Sequence, residues 1–263
     1  MTQWCATMAR RERELLISDP WFYLLAVPAV LLVGISKGGF GGGAGIVAVP
    51  VLSFVVPLPQ AAAILLPILC VMDLFAVSAY RGQYSVPNLR RLLPGGLVGI
   101  AGGTLAFGVL DERWLRVFVG AIAVGFVMQW VLGRNALKAK KPGAVGGVFW
   151  GAVGGLTSTL AHAGGPPVSV YLLPQKLPPV LFVGTTVIVF TMFNYVKLIP
   201  YAWFGQLSAD NLATSLVLLP LAPLGIKLGR WLLERINGVV FYRIVYSLLL
   251  IAGLKLVSEA FQH

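Results

Sequence analysis

The sequence predicts an all-α integral membrane protein. Three observations carry that prediction: too little charge for a wetted surface, apolar runs of membrane length, and two glycine-rich interruptions at matching places in the two halves. Of 263 residues, 58% are hydrophobic and only 11% are charged, with a mean hydropathy of +0.86. A soluble domain carries about a quarter charged residues, so lipid is the solvent that fits.

The runs agree. Ala61–Ala79 holds one charge, Asp73, and Leu92–Leu110, Gly143–Ala161 and Pro179–Val196 hold none. Each matches the ~20 residues that a helix needs to cross the hydrocarbon core. Shorter runs are Trp21–Ser36, Ala44–Pro59, Leu212–Ile226 and Val239–Leu254. Strand alternation is absent, which argues against a barrel. The runs add up to about eight to ten transmembrane or part-spanning helices.

The chain divides into a polar tail (1–18), a first membrane repeat (19–133), a basic linker (134–142), a second repeat (143–257) and a short C-terminal tail (258–263). The halves align: Gly45 with Gly165, Pro59 with Pro179, Gly82-Gln83 with Gly205-Gln206, Leu92-Leu93-Pro94 with Leu218-Leu219-Pro220, and Gly99 and Gly103 with Gly225 and Gly229. The spacing drifts in one direction, as small insertions produce. The loop bearing Arg81, Arg90 and Arg91 has a counterpart near 205–211 whose charge is Asp210. Asp111-Glu112-Arg113 has a counterpart holding Lys227, Arg230, Glu234 and Arg235. Basic loops mark the cytoplasmic side, so this exchange predicts two inverted repeats. One feature pulls the other way: an odd number of crossings per half would put the basic tail (Arg10, Arg11, Arg13) outside.

The net charge of +11 resides largely in short connections, and no basic stripe interleaves with aromatics, so nucleic-acid binding is not expected. The two cysteines, Cys5 and Cys70, suggest neither a disulfide nor a metal site. The first apolar run leads into Ser36-Lys37-Gly38 without a small-residue cleavage site, so a signal peptide is not expected. A Walker-type phosphate loop is missing. Asp73 and His162 alone do not make a catalytic constellation, so the chain is read as a non-enzyme without cofactor.

Candidate binding residues lie in the two interruptions. The first reads Ser36-Lys37-Gly38-Gly39-Phe40-Gly41-Gly42-Gly43-Ala44-Gly45. Each glycine costs a helix about 1 kcal/mol, so a broken, re-entrant segment is expected, lodged where protein or a wet cavity surrounds it. The second contains Thr157, Ser158, Thr159, His162, Gly164 and Gly165, then Pro166-Pro167, residues suited to opening a half-helix. Half-helices starting near Ala44 and Pro166 would aim free N–H groups and positive dipole ends at the midplane, an arrangement suited to an anion. Gly95, Gly96, Gly99, Gly102 and Gly103 read instead as close helix packing.

Ionisable residues inside apolar runs are Lys37, Asp73, His162 and Lys197, each costly at membrane depth unless paired or hydrated. Lys37 reads as an anion ligand or as a lysine snorkelling to an interface. His162 reads as ligand, proton carrier or buried imidazole. Asp73 is read as an ion-pair partner or proton relay, near register with Asn194. Asn194, Lys197 and Tyr201 share a helix face by spacing; Asn194 is a candidate substrate ligand, and Lys197, with Asp73 and His162, a coupling or ion-pair candidate. The hydroxyls of Thr157, Ser158 and Thr159 either face the site or bond back to their own helix.

These motifs resemble those of the sulfite exporter TauE/SafE family. The carriers are the Gly-rich break followed by Ile46-Val47-Ala48-Val49-Pro50-Val51-Leu52, the helices Pro94/Gly99/Gly103 and Pro220/Gly225/Gly229, and the closing Tyr242-Arg243-Ile244 helix with Gly253-Leu254-Lys255-Leu256. The resemblance runs from about residue 20 to 257. It implies a multi-pass carrier of the bacterial inner membrane that exports a small sulfur-containing anion such as sulfite, a sulfonate or a sulfoacetate-like compound, by alternating access. The alternative is an anion channel on the same scaffold. The implied partners are the anionic substrate and the lipid bilayer, with a homodimer compatible. The second break, Ala161-His162-Ala163-Gly164-Gly165-Pro166-Pro167, departs from the family's more usual longer glycine run ahead of a Val-Pro.

Overall fold

A computed structural model describes residues 19–42, 45–52, 54–106 and 143–260, together with Ile17 and scattered positions between 114 and 131. Gly43, most of the tail, the Asp111-Glu112-Arg113 loop and the basic linker lie outside the described residues. Among the described residues the chain is all-α, and no strand is found.

The elements are α1 (Pro20–Gly39), α2 (Gly45–Leu52), α3 (Leu58–Ala79), α4 (Val86–Leu105), α5 (Ala144–Ala161), α6 (Gly165–Leu172), α7 (Pro179–Trp203), α8 (Ala209–Leu218), α9 (Leu221–Leu233) and α10 (Gly238–Ala260). Between 114 and 131 the described residues are also helical. Prolines open α1, α3, α4, α6 and α7, where a first-turn N–H has no intrahelical partner to lose. At α1 the Asp19 carboxylate adds a cap, accepting from the Trp21 N–H at 2.9 Å.

Four of these helices are long and apolar enough to cross a membrane: α1, α3, α7 and α10. The pair α8 and α9, bent by 45° at its break, makes a fifth span if counted as one. Leu74, Val98, Val145, Ile199, Leu216 and Ile251 stand exposed around the outside, as expected of side chains that face lipid. Trp21, Trp203 and Trp231 are exposed near helix ends, where amphipathic rings favour the membrane–water interface.

The two halves build the same sequence of elements. α2 and α6 are both eight-residue helices following a break. Gly82 and Gly205, aligned by sequence, both adopt left-handed backbone, at φ 73° and 67°. One difference lies at the aligned prolines: Pro94 stays inside a continuous α4, whereas the Leu219–Pro220 step separates α8 from α9.

Packing is crossed between the halves. The most extensive helix contacts are α4 on α5 and α1 on α9. Both rest on glycines that bring backbones together. A Cβ at Gly99 would strike the Ala152 carbonyl, and one at Gly155 the Gly96 carbonyl. One at Gly34 would lie 2.8 Å from the Gly225 Cα. Gly95, Gly96 and Gly103 are similarly confined, but Gly102 meets only one methyl, at ordinary distance. Small residues permit this approach in a membrane, where burial of apolar surface supplies little drive between helices. α3 packs on α7, a third contact between the halves.

Candidate functional site

The glycine-rich first break is shorter than its composition implies. Ser36, Lys37, Gly38 and Gly39 remain helical as the last turn of α1. A Cβ at Gly38 would lie 2.5 Å from the Ile226 carbonyl oxygen, and one at Gly39 would collide with the Gly229 carbonyl. These two glycines serve the α1–α9 contact, and helix packing overrides their low helix propensity. The chain leaves the helix at Phe40, whose N–H reaches the Ser36 carbonyl at 2.7 Å; the Gly42 N–H reaches the same oxygen at 3.0 Å. Gly41 and Gly42 have φ of 76° and 78°, which glycine adopts without steric cost.

The second break uses a different residue for the same task. His162 ends α5 in the left-handed region at φ 52°, which is uncommon for a residue with a side chain. The following Ala163 N–H donates to the Thr157 carbonyl at 3.1 Å. α6 then starts at Gly165, with Pro166 and Pro167 in its first turn.

Both breaks open on one cavity. Its polar wall comes from Lys37, Ser158, His162, Asn194 and Lys197, with Gly42 and Gly165 contributing from the breaks. Its apolar wall comes from Val33, Ala48, Leu65, Leu69 and Phe190. The structure thus brings Lys37, Gly42, Ser158, His162, Gly165, Asn194 and Lys197 to one place. Ser36, Gly38, Gly39, Gly41, Thr157 and Gly164 lie in or beside the two breaks but do not line it. The Thr157 hydroxyl donates within its own helix end, to the Val153 carbonyl at 2.8 Å and the Ala163 carbonyl at 3.1 Å. Thr159 likewise bonds back to Gly155 at 2.9 Å.

Two buried lysines have different fates. The Lys37 ammonium lies 2.7 Å from Asp73 Oδ1. Asp73 is fully buried and also accepts from Asn194 Nδ2 at 2.7 Å; the Thr191 hydroxyl lies 3.1 Å from Oδ1 but closer, at 2.8 Å, to the Val187 carbonyl of its own helix. The buried carboxylate is thus paired and hydrogen-bonded, and Lys37 does not snorkel. Lys197 is also buried, at 1% exposure. Its ammonium donates to the Ser158 carbonyl and hydroxyl, both at 3.0 Å, and among the described residues it forms no ion pair. Both ring nitrogens of His162 are buried with no hydrogen-bond partner among the described residues; its ring centroid lies 6.0 Å from that of Tyr201.

The apolar wall was not anticipated from sequence. The signal lay in helical spacing: Val33 precedes Lys37 by four residues, Leu69 and Leu65 precede Asp73 by four and eight, and Phe190 precedes Asn194 by four. Residues four apart share a helix face, so the polar residues pointed to their apolar neighbours. Among the described residues there is no cluster of histidine, cysteine and acidic side chains able to hold a metal.

A family model described as Sulfite exporter TauE/SafE matches residues 26–256. The chain is 26% identical over 206 residues to a "Probable sulfite/organosulfonate exporter TauE" of Cupriavidus necator, covering 70% of this chain and 79% of that protein. It is 31% identical over 176 residues to a "Probable inner membrane transporter protein TsaS" of Comamonas testosteroni, covering 64% of this chain and 70% of that one. No solved structure matches. With a family match spanning most of the chain on an all-α membrane fold, the protein belongs to the sulfite exporter TauE/SafE family of membrane transporters.

Proposed function

We propose that the protein is a secondary carrier of the bacterial inner membrane that exports a small sulfur-containing anion, seated in the central cavity. One observation carries this reading: both chain breaks open on a cavity where the buried Lys197 ammonium has no carboxylate partner among the described residues. A buried cation left without a counter-ion is costly, and a bound anion supplies one. The His162 imidazole, whose buried ring nitrogens have no hydrogen-bond partner among the described residues, offers a further donor to that anion. α6, which begins at Gly165 on the cavity wall, adds the positive end of its dipole.

The crossed packing of α4 on α5 and α1 on α9 supports two inverted repeats moving against each other about this seat, as in alternating access. The names of the relatives, an exporter and an inner membrane transporter, support the location and the outward direction.

Exchanging His162 for glycine tests the seat. Glycine suits the left-handed backbone, so the break survives while the imidazole is lost. The expected result in proteoliposomes is a fall in methanesulfonate flux of about tenfold or more, matching a lost charge-assisted hydrogen bond, with the melting temperature retained. Unchanged flux contradicts the assignment. Flux that never accumulates the anion against its own gradient, whatever ion gradient is imposed, points to a channel instead.

A further inference from the structure

We propose that Asp73 sets the charge selectivity of the cavity, making it a seat for monovalent anions and rejecting divalent ones of similar size. This rests on the reading of the cavity as the anion site. Two ammonium groups, Lys37 and Lys197, line the cavity. Asp73 does not line it; its carboxylate stands behind the wall, bonded to Lys37 at 2.7 Å and to Asn194 at 2.7 Å. Counting both ammonium groups and the Asp73 carboxylate as charged and His162 as neutral, the described ionisable groups here sum to one net positive charge.

One net positive charge balances one anionic charge. A second negative charge on the ligand would enter a low-dielectric site with no counter-ion, and the desolvation of that charge would go unrepaid. The remaining walls fit the same ligand. Val33, Leu69 and Phe190 give an apolar side that accepts an alkyl group but offers no donors to a second anionic group. Asp73 therefore acts through Lys37: with its carboxylate in place, Lys37 orients and donates but contributes no net charge. It is a positioning and charge-setting residue, not a ligand. Discrimination arises by leaving the wrong ligand's charge unpaired.

Methanesulfonate and sulfate make the test. Both are tetrahedral at sulfur and similar in size, and they differ by one charge. Thermal shifts of the purified protein are read against each anion at about pH 7.5, with chloride at matched ionic strength as reference. A ligand stabilises the folded state by mass action, so apparent affinities follow. The wild type is expected to bind methanesulfonate about tenfold or more tighter than sulfate, and Asp73→Asn to shrink or reverse that ratio by about tenfold or more. The asparagine still accepts from Lys37. Removing Lys37 as well, in Lys37→Met/Asp73→Asn, returns the net charge to its original value and is expected to restore the preference for methanesulfonate. A merely structural role for Asp73 would move the melting temperature without changing the ratio of the two affinities.

Equal binding of the two anions by the wild type, or a preference for sulfate, overturns the inference even if no variant folds. So does an Asp73→Asn ratio equal to that of wild type. If neither anion shifts the wild-type melting temperature, the reading of the cavity as an anion seat fails, and this inference with it.

Discussion

Lys197→Met is expected to abolish anion binding and transport while raising the melting temperature. The ammonium is buried, hydrogen-bonded to Ser158 at 3.0 Å, and unpaired with any described carboxylate. Burying a lone cation costs several kcal/mol, and replacing buried charge by an apolar side chain of similar volume is often stabilising by about 1–4 kcal/mol. The oxygens it leaves are not orphaned in the same way: the Ser158 carbonyl also accepts from the His162 N–H at 3.2 Å, and the hydroxyl can rotate. The ligand, by contrast, loses its counter-charge. Truncating one partner of a buried charge pair costs about 2–5 kcal/mol, so affinity and flux should fall by about 100-fold or more. Uptake into proteoliposomes and a thermal melt in detergent read the two effects. Retained affinity would mean that the anion sits elsewhere; a lower melting temperature would mean that Lys197 is structural.

The second large effect is on stability. Gly99→Val places a branched side chain where a Cβ alone already strikes the Ala152 carbonyl and lies 2.8 Å from the Leu156 amide nitrogen. Both obstacles are helix backbone, which cannot rotate aside as a side chain can. α4 and α5 must separate. Overpacking typically costs 1–3 kcal/mol with side-chain neighbours, so about 3 kcal/mol or more is expected here. Size-exclusion chromatography after heating should show loss of the monodisperse peak at lower temperature than wild type. Gly102→Val is the matched control: that position meets only the Leu156 methyl, at 3.9 Å, and should melt as wild type does. Equal melting of the two variants would show that the α4–α5 backbone contact is not what holds these helices.

Much of this architecture was legible in the sequence because membrane helices advertise themselves by composition and length. The register of the halves was legible too. Gly45 and Gly165 both start eight-residue helices, and Gly82 and Gly205 both take left-handed turns, because a backbone requirement fixes the residue type. The end of α1 was less legible. A run holding Gly38, Gly39, Gly41 and Gly42 looks uniformly broken by propensity, yet its first two glycines are helical. Their reason for being glycine is α9, a contact from the other half that no local window contains. The same holds for the electrostatics. Spacing placed Asp73 near Asn194, but not which buried lysine would pair with the carboxylate. That choice is set by α1 reaching α3 across the fold, and it leaves Lys197 as the cation available to a ligand. Gly41 and His162 show a subtler limit: both hold left-handed backbone at the exits of α1 and α5, but only one carries a side chain into the cavity.

In the proposed carrier the anion sits between the two breaks, beside Lys197. Anomalous diffraction from crystals grown with 2-bromoethanesulfonate tests it most directly, because bromine marks the ligand's apolar end without relying on function. A single strong bromine peak is expected inside the cavity near Leu69 and Phe190, with the sulfonate oxygens toward Lys197 and His162. A bromine peak outside the cavity, with the cavity unchanged, would contradict it.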